Sequence, residues 1–394
     1  MPSVLAKDKK YLGRDGPAAP LQVIRQKGSF AYDDRGKRYI DFYMGWCVGN
    51  IGWGRTDVLN VLKKYKGPTY VAPKYLYAEW AELAELFAKI APGKLIKSHR
   101  ATGGTEAVEI ALQAAMAHTK RSKFVSVEGS YHGHSIGAMS VGDSAFRDWY
   151  SNLLPNCYKI SGPLDAVAGR KVEEHLSHGE VAAYISEPVI CNAGVIIPTQ
   201  EYWDIVQQAC KKYGTVLIID EVATGFGRTG KMFASEHYDI KPDIMCIAKG
   251  ATGGFGTLGA TLMTDEIAKS FEFGFNFYST FGWHPLNVAL TLANIKVLLK
   301  NKTKLLKNAI ILGKYFEQRL QTMPFQNLVA IRKVGLAIGL EFKDASDVSE
   351  IENKALNKGL LIANATSKTL VFFPALDIDI KTAKEGLDIL EQCL

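Results

Sequence analysis

Several features are missing from this 394-residue sequence, and each absence narrows the reading. No run of about 18 apolar residues occurs, so no transmembrane helix is expected. The segment Met1 to Arg14 is polar and lacks the apolar stretch of a secretory leader, which points to the cytoplasm. None of the six cysteines (Cys47, Cys157, Cys191, Cys210, Cys246 and Cys393) forms a Cys-x-x-Cys pair, and Cys246 falls within an apolar run. Free thiols in a reducing compartment are therefore expected. The net charge of +7 is spread along the chain. Its short basic run, Lys300-Asn301-Lys302-Thr303-Lys304, reads as a solvated helix end, and no basic helix or aromatic-basic module marks a nucleic-acid binder. Internal repeats and low-complexity linkers are also missing.

What is present describes an ordinary globular chain, 47% hydrophobic and 22% charged, long enough for more than one domain. From about residue 98 to 265, strand-like and helix-like segments alternate. Lys123 to Glu128 and Val181 to Ser186 read as strands, and Tyr202 to Tyr213 as a helix stopped by Gly214. Such alternation predicts an α/β fold with a mostly parallel sheet between helices. After about Asn294 the pattern changes to a long helical region (Val288 to Lys314), short strands (Ala330 to Glu341) and a last helix from Thr382, which reads as a smaller α+β domain. Near the N-terminus, Ala31 to Asp41 reads as a hairpin.

Two apolar runs end in charged residues. Ile244-Met245-Cys246-Ile247-Ala248 leads to Lys249, and Val216-Leu217-Ile218-Ile219 leads to Asp220. A lysine at a strand end can simply snorkel to water. In an open parallel sheet, however, ligands gather at the carboxyl ends of strands, and two such ends here carry an amine and an acid. A desolvated lysine attacks carbonyls, and an aspartate facing a ring nitrogen keeps it protonated. Pyridoxal phosphate needs that pair. Upstream, Thr102-Gly103-Gly104-Thr105-Glu106 precedes an amphipathic helix and offers backbone donors to a phosphate, although an ordinary turn and N-cap would have the same composition.

With these residues the sequence resembles the class III (ω-amino acid type) pyridoxal-phosphate aminotransferases of fold type I. Asp220 to Gly230, Pro242-Asp243-Ile244 and Lys249-Gly250 stand in that family's order, and the resemblance runs from about Pro20 to Leu376. It implies a large cofactor-binding domain over 46–294 and a small domain over 295–394 joined by the N-terminal segment 1–45. It further implies a transaminase that takes an amine donor and a carbonyl acceptor through a Lys249 Schiff base, with Asp220 on the pyridine nitrogen. Gly103, Gly104 and Thr105 would hold the phosphate, Tyr131 and Val222 would sandwich the ring, and His132 would complete the cofactor site. Thr280, in Ser279-Thr280-Phe281-Gly282, would reach the phosphate of a neighbouring subunit and make the enzyme a homodimer. Trp46, His134, Asn192 and Trp283 are candidates for the substrate pocket. His132 and His134 flank one glycine, but without nearby cysteine or acidic ligands no metal is expected.

Three departures bear on the substrate. His134, Asn192 and Val371 stand where many members place an arginine, a glutamate and a second arginine that clamp a carboxylate, and no arginine follows Arg332. The expected donor is thus a terminal amine or amino ketone. Lys368 or Arg14 could replace the lost cation. Glutamate semialdehyde aminomutases share two of these changes and are the nearest alternative, although they usually lack the continuation Phe226 to Gly230. A remote alternative is a P-loop nucleotide hydrolase, since Gly225 to Lys231 fits Gly-x4-Gly-Lys; Met232 stands there in place of the magnesium-binding Ser or Thr.

Overall fold

The computed structural model describes residues 3–14, 16, 19–272 and 277–394. Its centre is a seven-stranded sheet in the spatial order Lys97–Ala101, Gly259–Met263, Ile244–Ile247, Val216–Asp220, Val181–Ser186, Lys123–Val127, Cys157–Ile160. Five neighbouring strands are parallel, and Gly259–Met263 runs antiparallel to both of its neighbours. All carboxyl ends other than that of Gly259–Met263 therefore face one edge. Val181–Ser186, Val216–Asp220 and Ile244–Ile247 are buried at every residue, as expected of strands covered on both faces.

Helices cover the sheet. Gly104–Thr119 buries its alanine-rich face, including Ala107, Ala111 and Ala114, and ends where Lys120 turns left-handed. Gln200–Tyr213 begins with Thr199 accepting from the Tyr202 amide at 3.1 Å and ends at Gly214 with φ +61, so the expected helix and its stop both form. The long helical region breaks at Asn301 into Pro285–Lys300 and Lys302–Gln321. Asn301 Nδ2 donates to the Val297 carbonyl at 2.8 Å, satisfying a backbone acceptor as the first helix ends. The basic run Lys300 to Lys304 spans this junction.

Two smaller sheets flank the centre. Val23–Lys27, Phe30–Asp33 and Arg38–Asp41 form an antiparallel meander that includes the expected hairpin, and Leu360–Leu361 adds to it in parallel, with Leu360 opposite Ile40. The other sheet joins Leu328–Val334, Ala337–Phe342, Thr369–Phe372 and Ala363–Thr366. The last helix, Ile380–Glu391, is capped by Asp379.

Candidate active site

At the common edge of the central sheet, a cavity of about 450 Å³ is lined by residues following several strands, among them Thr105, Tyr131, His132, Glu187, Asp220 and Lys249. Asp220 closes its strand and is 2% exposed. Its Oδ2 pairs with His132 Nδ1 at 2.7 Å, and its Oδ1 accepts from the Val222 amide at 2.9 Å. Both oxygens are thus held before any ligand enters. Lys249 begins a short turn, Lys249–Ala251, just past its strand, and its backbone sits at φ +37. A β-carbon residue held there is strained and has to be kept in place by its surroundings. The Ala251 amide bonds to the Ala248 carbonyl at 2.9 Å, and Asn294 Nδ2 ties down the Gly250 and Ala251 carbonyls at 3.0 and 2.9 Å. The lysine is half-buried in the cavity wall rather than sealed in the core.

Gly103 is the N-cap of Gly104–Thr119 and supplies no side-chain cap. Glu106 instead accepts from the Thr102 amide and hydroxyl. A β-carbon on Gly104 would lie 3.0 Å from Val222 Cγ1, and one on Gly133 would collide with the Thr105 side chain. The two glycines therefore let the helix start, Val222 and the Tyr131–His134 loop converge. Tyr131 is 37% exposed, and its hydroxyl meets His134 Nδ1 at 2.9 Å. His134 in turn stacks edge-on against Phe146.

Trp46 reaches the cavity from a turn in which Met44, Gly45, Trp46 and Cys47 all have positive φ. Asp41 holds this turn, with Oδ1 accepting from the Tyr43 and Met44 amides at 2.9 and 2.7 Å and Oδ2 from Trp53 Nε1 at 2.8 Å. Asn192 also lines the cavity. Trp283 does not. It is 1% exposed, packs edge-on against Phe87 and donates from Nε1 to the Gly259 carbonyl at 2.8 Å, so the expected rim residue is a core residue. Thr280 is exposed and is not among the residues lining this cavity.

The Gly225–Lys231 loop is not a phosphate cradle. Phe226, Arg228 and Thr229 are at most 1% exposed, and Arg228 is bonded to the Leu336 and Pro374 carbonyls and to Asn50 Oδ1. A β-carbon on Gly227 would come within 2.7 Å of Leu376. The loop is followed by a single turn, Ala234–His237, rather than a helix. Gly-x4-Gly-Lys spacing alone carries no information about whether the backbone amides face solvent, and in this loop the packing decides otherwise.

Two further lining residues were not singled out from sequence. Cys191 is buried. Glu187 follows the fully buried strand Val181–Ser186, as Asp220 follows its own, and that shared pattern was the available signal. It is 3% exposed, and burial together with the nearby Asp220 charge pushes its carboxyl up to about 8.

The cavity fits pyridoxal phosphate. It offers an uncapped start of a 16-residue helix for an anion, a buried aspartate for a ring nitrogen, an amine for an aldehyde, and Tyr131 and Val222 as apolar walls.

A parallel sheet that delivers these groups to one edge defines a fold type I pyridoxal-phosphate enzyme, and solved structures agree. A Bacillus anthracis aminotransferase superposes with a TM-score of 0.91 at 27% identity, covering 99% of this chain and 97% of that one. An (S)-enantioselective omega-transaminase from Thermomicrobium roseum gives a TM-score of 0.90 at 28% identity, covering 99% and 97%. The chain belongs to the family described as Aminotransferase class-III, whose model matches residues 11–394. It is 33% identical to an acetylornithine aminotransferase of Archaeoglobus fulgidus over 98% of this chain and 99% of that protein. It is also 33% identical to a putrescine aminotransferase of Pectobacterium atrosepticum over 91% of this chain and 80% of that protein. The protein is a pyridoxal-phosphate-dependent transaminase that moves an amino group from an amine donor to a carbonyl acceptor.

Proposed function

We propose that this transaminase takes its amino group from a terminal amine or amino ketone, and that it works as a cytoplasmic homodimer. The observation that carries the donor class is the cavity lining. Among the described residues it includes no arginine and no lysine other than Lys249, so no fixed cation waits for a substrate carboxylate. Putrescine, named for one relative, is a terminal diamine, which agrees with this reading.

When bound, pyridoxal phosphate supplies an aldehyde that takes the donor nitrogen and a pyridinium ring that draws electrons from the reacting carbon. Lys249 Nζ lifts the proton from the donor's reacting carbon and returns one later, as base and then acid. Asp220, held by His132, would keep the ring nitrogen protonated. Gly103, Gly104 and Thr105 would hold the phosphate at the helix start. Tyr131 and Val222 would hold the ring between them and keep water away, with Tyr131 positioned by His134. Thr280 acts in the site of a second copy. Its neighbours Tyr278 and Phe281 are 65% and 63% exposed, an apolar surface that favours a cover. Segment 1–45 and residues 295–394 make up the small domain in this reading, and 46–294 the large one. The six unpaired cysteines fit a reducing compartment, and no helix among the described residues is long and apolar enough to cross a membrane.

Borohydride trapping of the cofactor followed by peptide mapping tests the central assignment. The label should fall on Lys249, and Lys249→Ala should abolish both label and turnover. A label on any other lysine would overturn it.

A further inference from the structure

Lys249 has a left-handed backbone, and a residue with a β-carbon stays in that region only where its surroundings over-determine it. Here the surroundings come from distant parts of the chain. The Lys249 carbonyl accepts from the Thr252 and Gly253 amides at 3.0 and 3.3 Å and from the Thr252 hydroxyl at 3.2 Å. The next two carbonyls belong to the buried Gly250 and Ala251, and both accept from one group, Nδ2 of Asn294. Asn294 is 0% exposed and sits on the helix Pro285–Lys300. Its other amide atom closes on the same loop: a β-carbon on Gly253, at φ +60, would lie 2.4 Å from Asn294 Oδ1.

A second buried asparagine meets the turn at Gly250. A β-carbon there would lie 2.4 Å from Asn50 Nδ2 and 3.3 Å from Phe226 Cβ. The same Nδ2 donates to the Gly225 and Phe226 carbonyls at 3.2 and 3.1 Å, and Asn50 Oδ1 accepts from Arg228 Nη2 at 2.7 Å. Asn50 therefore joins the loop that follows Asp220 to the turn that begins with Lys249. Neither asparagine is among the residues lining the cavity. Each reaches the chemistry through backbone alone.

We propose that Asn294 and Asn50 are positioning residues of the transamination: together they clamp the turn Lys249–Ala251 in the left-handed conformation from which the lysine side chain works. A proton-moving amine has to stand within hydrogen-bond reach of the reacting carbon, and a misplacement of about 1 Å costs about 10²-fold in rate. The lysine stem is flexible, so its placement begins with the backbone that carries it. Removing the Asn294 amide leaves two buried carbonyls without their donor, and the turn then gives up its strained form to pair them elsewhere. This inference rests on the assignment of Lys249 as the amine of the reaction.

The test has two parts. Amide hydrogen exchange of the full chain without cofactor reads the turn directly. In the wild type the Thr252 and Gly253 amides, held by the Lys249 carbonyl, should be protected like the strand Ile244–Ile247. In Asn294→Leu, which keeps the shape but has no donor, they should exchange at least about tenfold faster while the strand stays protected. Wild-type turn amides that exchange like an open loop overturn the clamp, even if no variant folds. The second part is single-turnover amine transfer by the loaded enzyme. Asn294→Leu and Asn294→Asp should slow it by about 10²-fold with donor affinity little changed. The control is Asn308→Leu, since Asn308 Nδ2 ties the Leu376 and Ile378 carbonyls at 2.8 and 3.0 Å, away from the residues lining the cavity. It should keep the wild-type rate. Equal losses in the Asn294 and Asn308 variants would make Asn294 a general stabiliser and overturn the proposal. If borohydride mapping placed the cofactor on another lysine, the exchange result would still stand, so the two readings fail separately.

Discussion

His132 Nδ1 stands 2.7 Å from Asp220 Oδ2, with the two side chains 0% and 3% exposed. The histidine comes from the loop after one strand and the aspartate from the end of another, so the contact locks two parts of the sheet edge together. Water cannot replace either partner. The bond fixes the direction in which Asp220 presents its charge. Asp220→Asn should therefore leave the fold intact yet slow proton abstraction by orders of magnitude, since a neutral amide does not hold a ring nitrogen protonated. His132→Ala should cost less, about tenfold, by releasing the aspartate's orientation. Stopped-flow absorbance of the half-reaction measures both. Near wild-type rates in Asp220→Asn would make that aspartate structural only.

Thr280 is exposed in the single chain, beside Phe281, whose ring lies 6.4 Å from that of Tyr70. If it serves the neighbouring site, mixing a Lys249→Ala chain with a Thr280→Ala chain should restore part of the activity, because one site per heterodimer carries both intact residues. Mass spectrometry should first establish that subunits have exchanged. Exchange without recovery argues for sites built within one chain.

Donor choice follows from the missing clamp. Asn192 and His134 line the cavity, while Val371 is a fully buried core residue of the strand Thr369–Phe372. A carboxylate placed in this wall without a bidentate arginine should lose about 2–5 kcal/mol. Single-turnover rates for glutamate should then fall well below those for ω-amines. Equal rates would show that another cation, Lys368 for example, enters the site.

Glu187 also predicts a pH dependence of stability. The unfolded carboxyl releases its proton near 4.5 and the folded one at about 8. Between those values the folded state binds the extra proton, so this residue's contribution falls as pH rises through the window and levels off above it. The total is roughly 3–5 kcal/mol by linkage. Urea midpoints measured from pH 5 to 9 should fall for the wild type relative to Glu187→Gln. Parallel curves would mean that Glu187 is ionised throughout.

Sequence by itself determined the strands, because fully apolar runs such as Ile244–Ile247 have no solvent-facing alternative. It also placed a charge at the end of each such run, and at the sheet's carboxyl edge Asp220 and Lys249 line one cavity. The helix start at Gly104 was legible because a glycine pair before an amphipathic helix marks one, and Gly103 is its N-cap without a side-chain cap. What tertiary structure decided was which of the remaining side chains meet. Trp283 looked like a rim residue, yet its indole is drawn into the core by Phe87 and by the Gly259 carbonyl. Gly225 to Lys231 has the spacing of a phosphate loop, yet the packing of Arg228 against three separate oxygens uses that loop as a brace. Glu187 has the same local pattern as Asp220. Only the packing shows that one acid receives a histidine and an amide while the other keeps a free oxygen, because hydrogen-bond satisfaction depends on residues far apart in the chain.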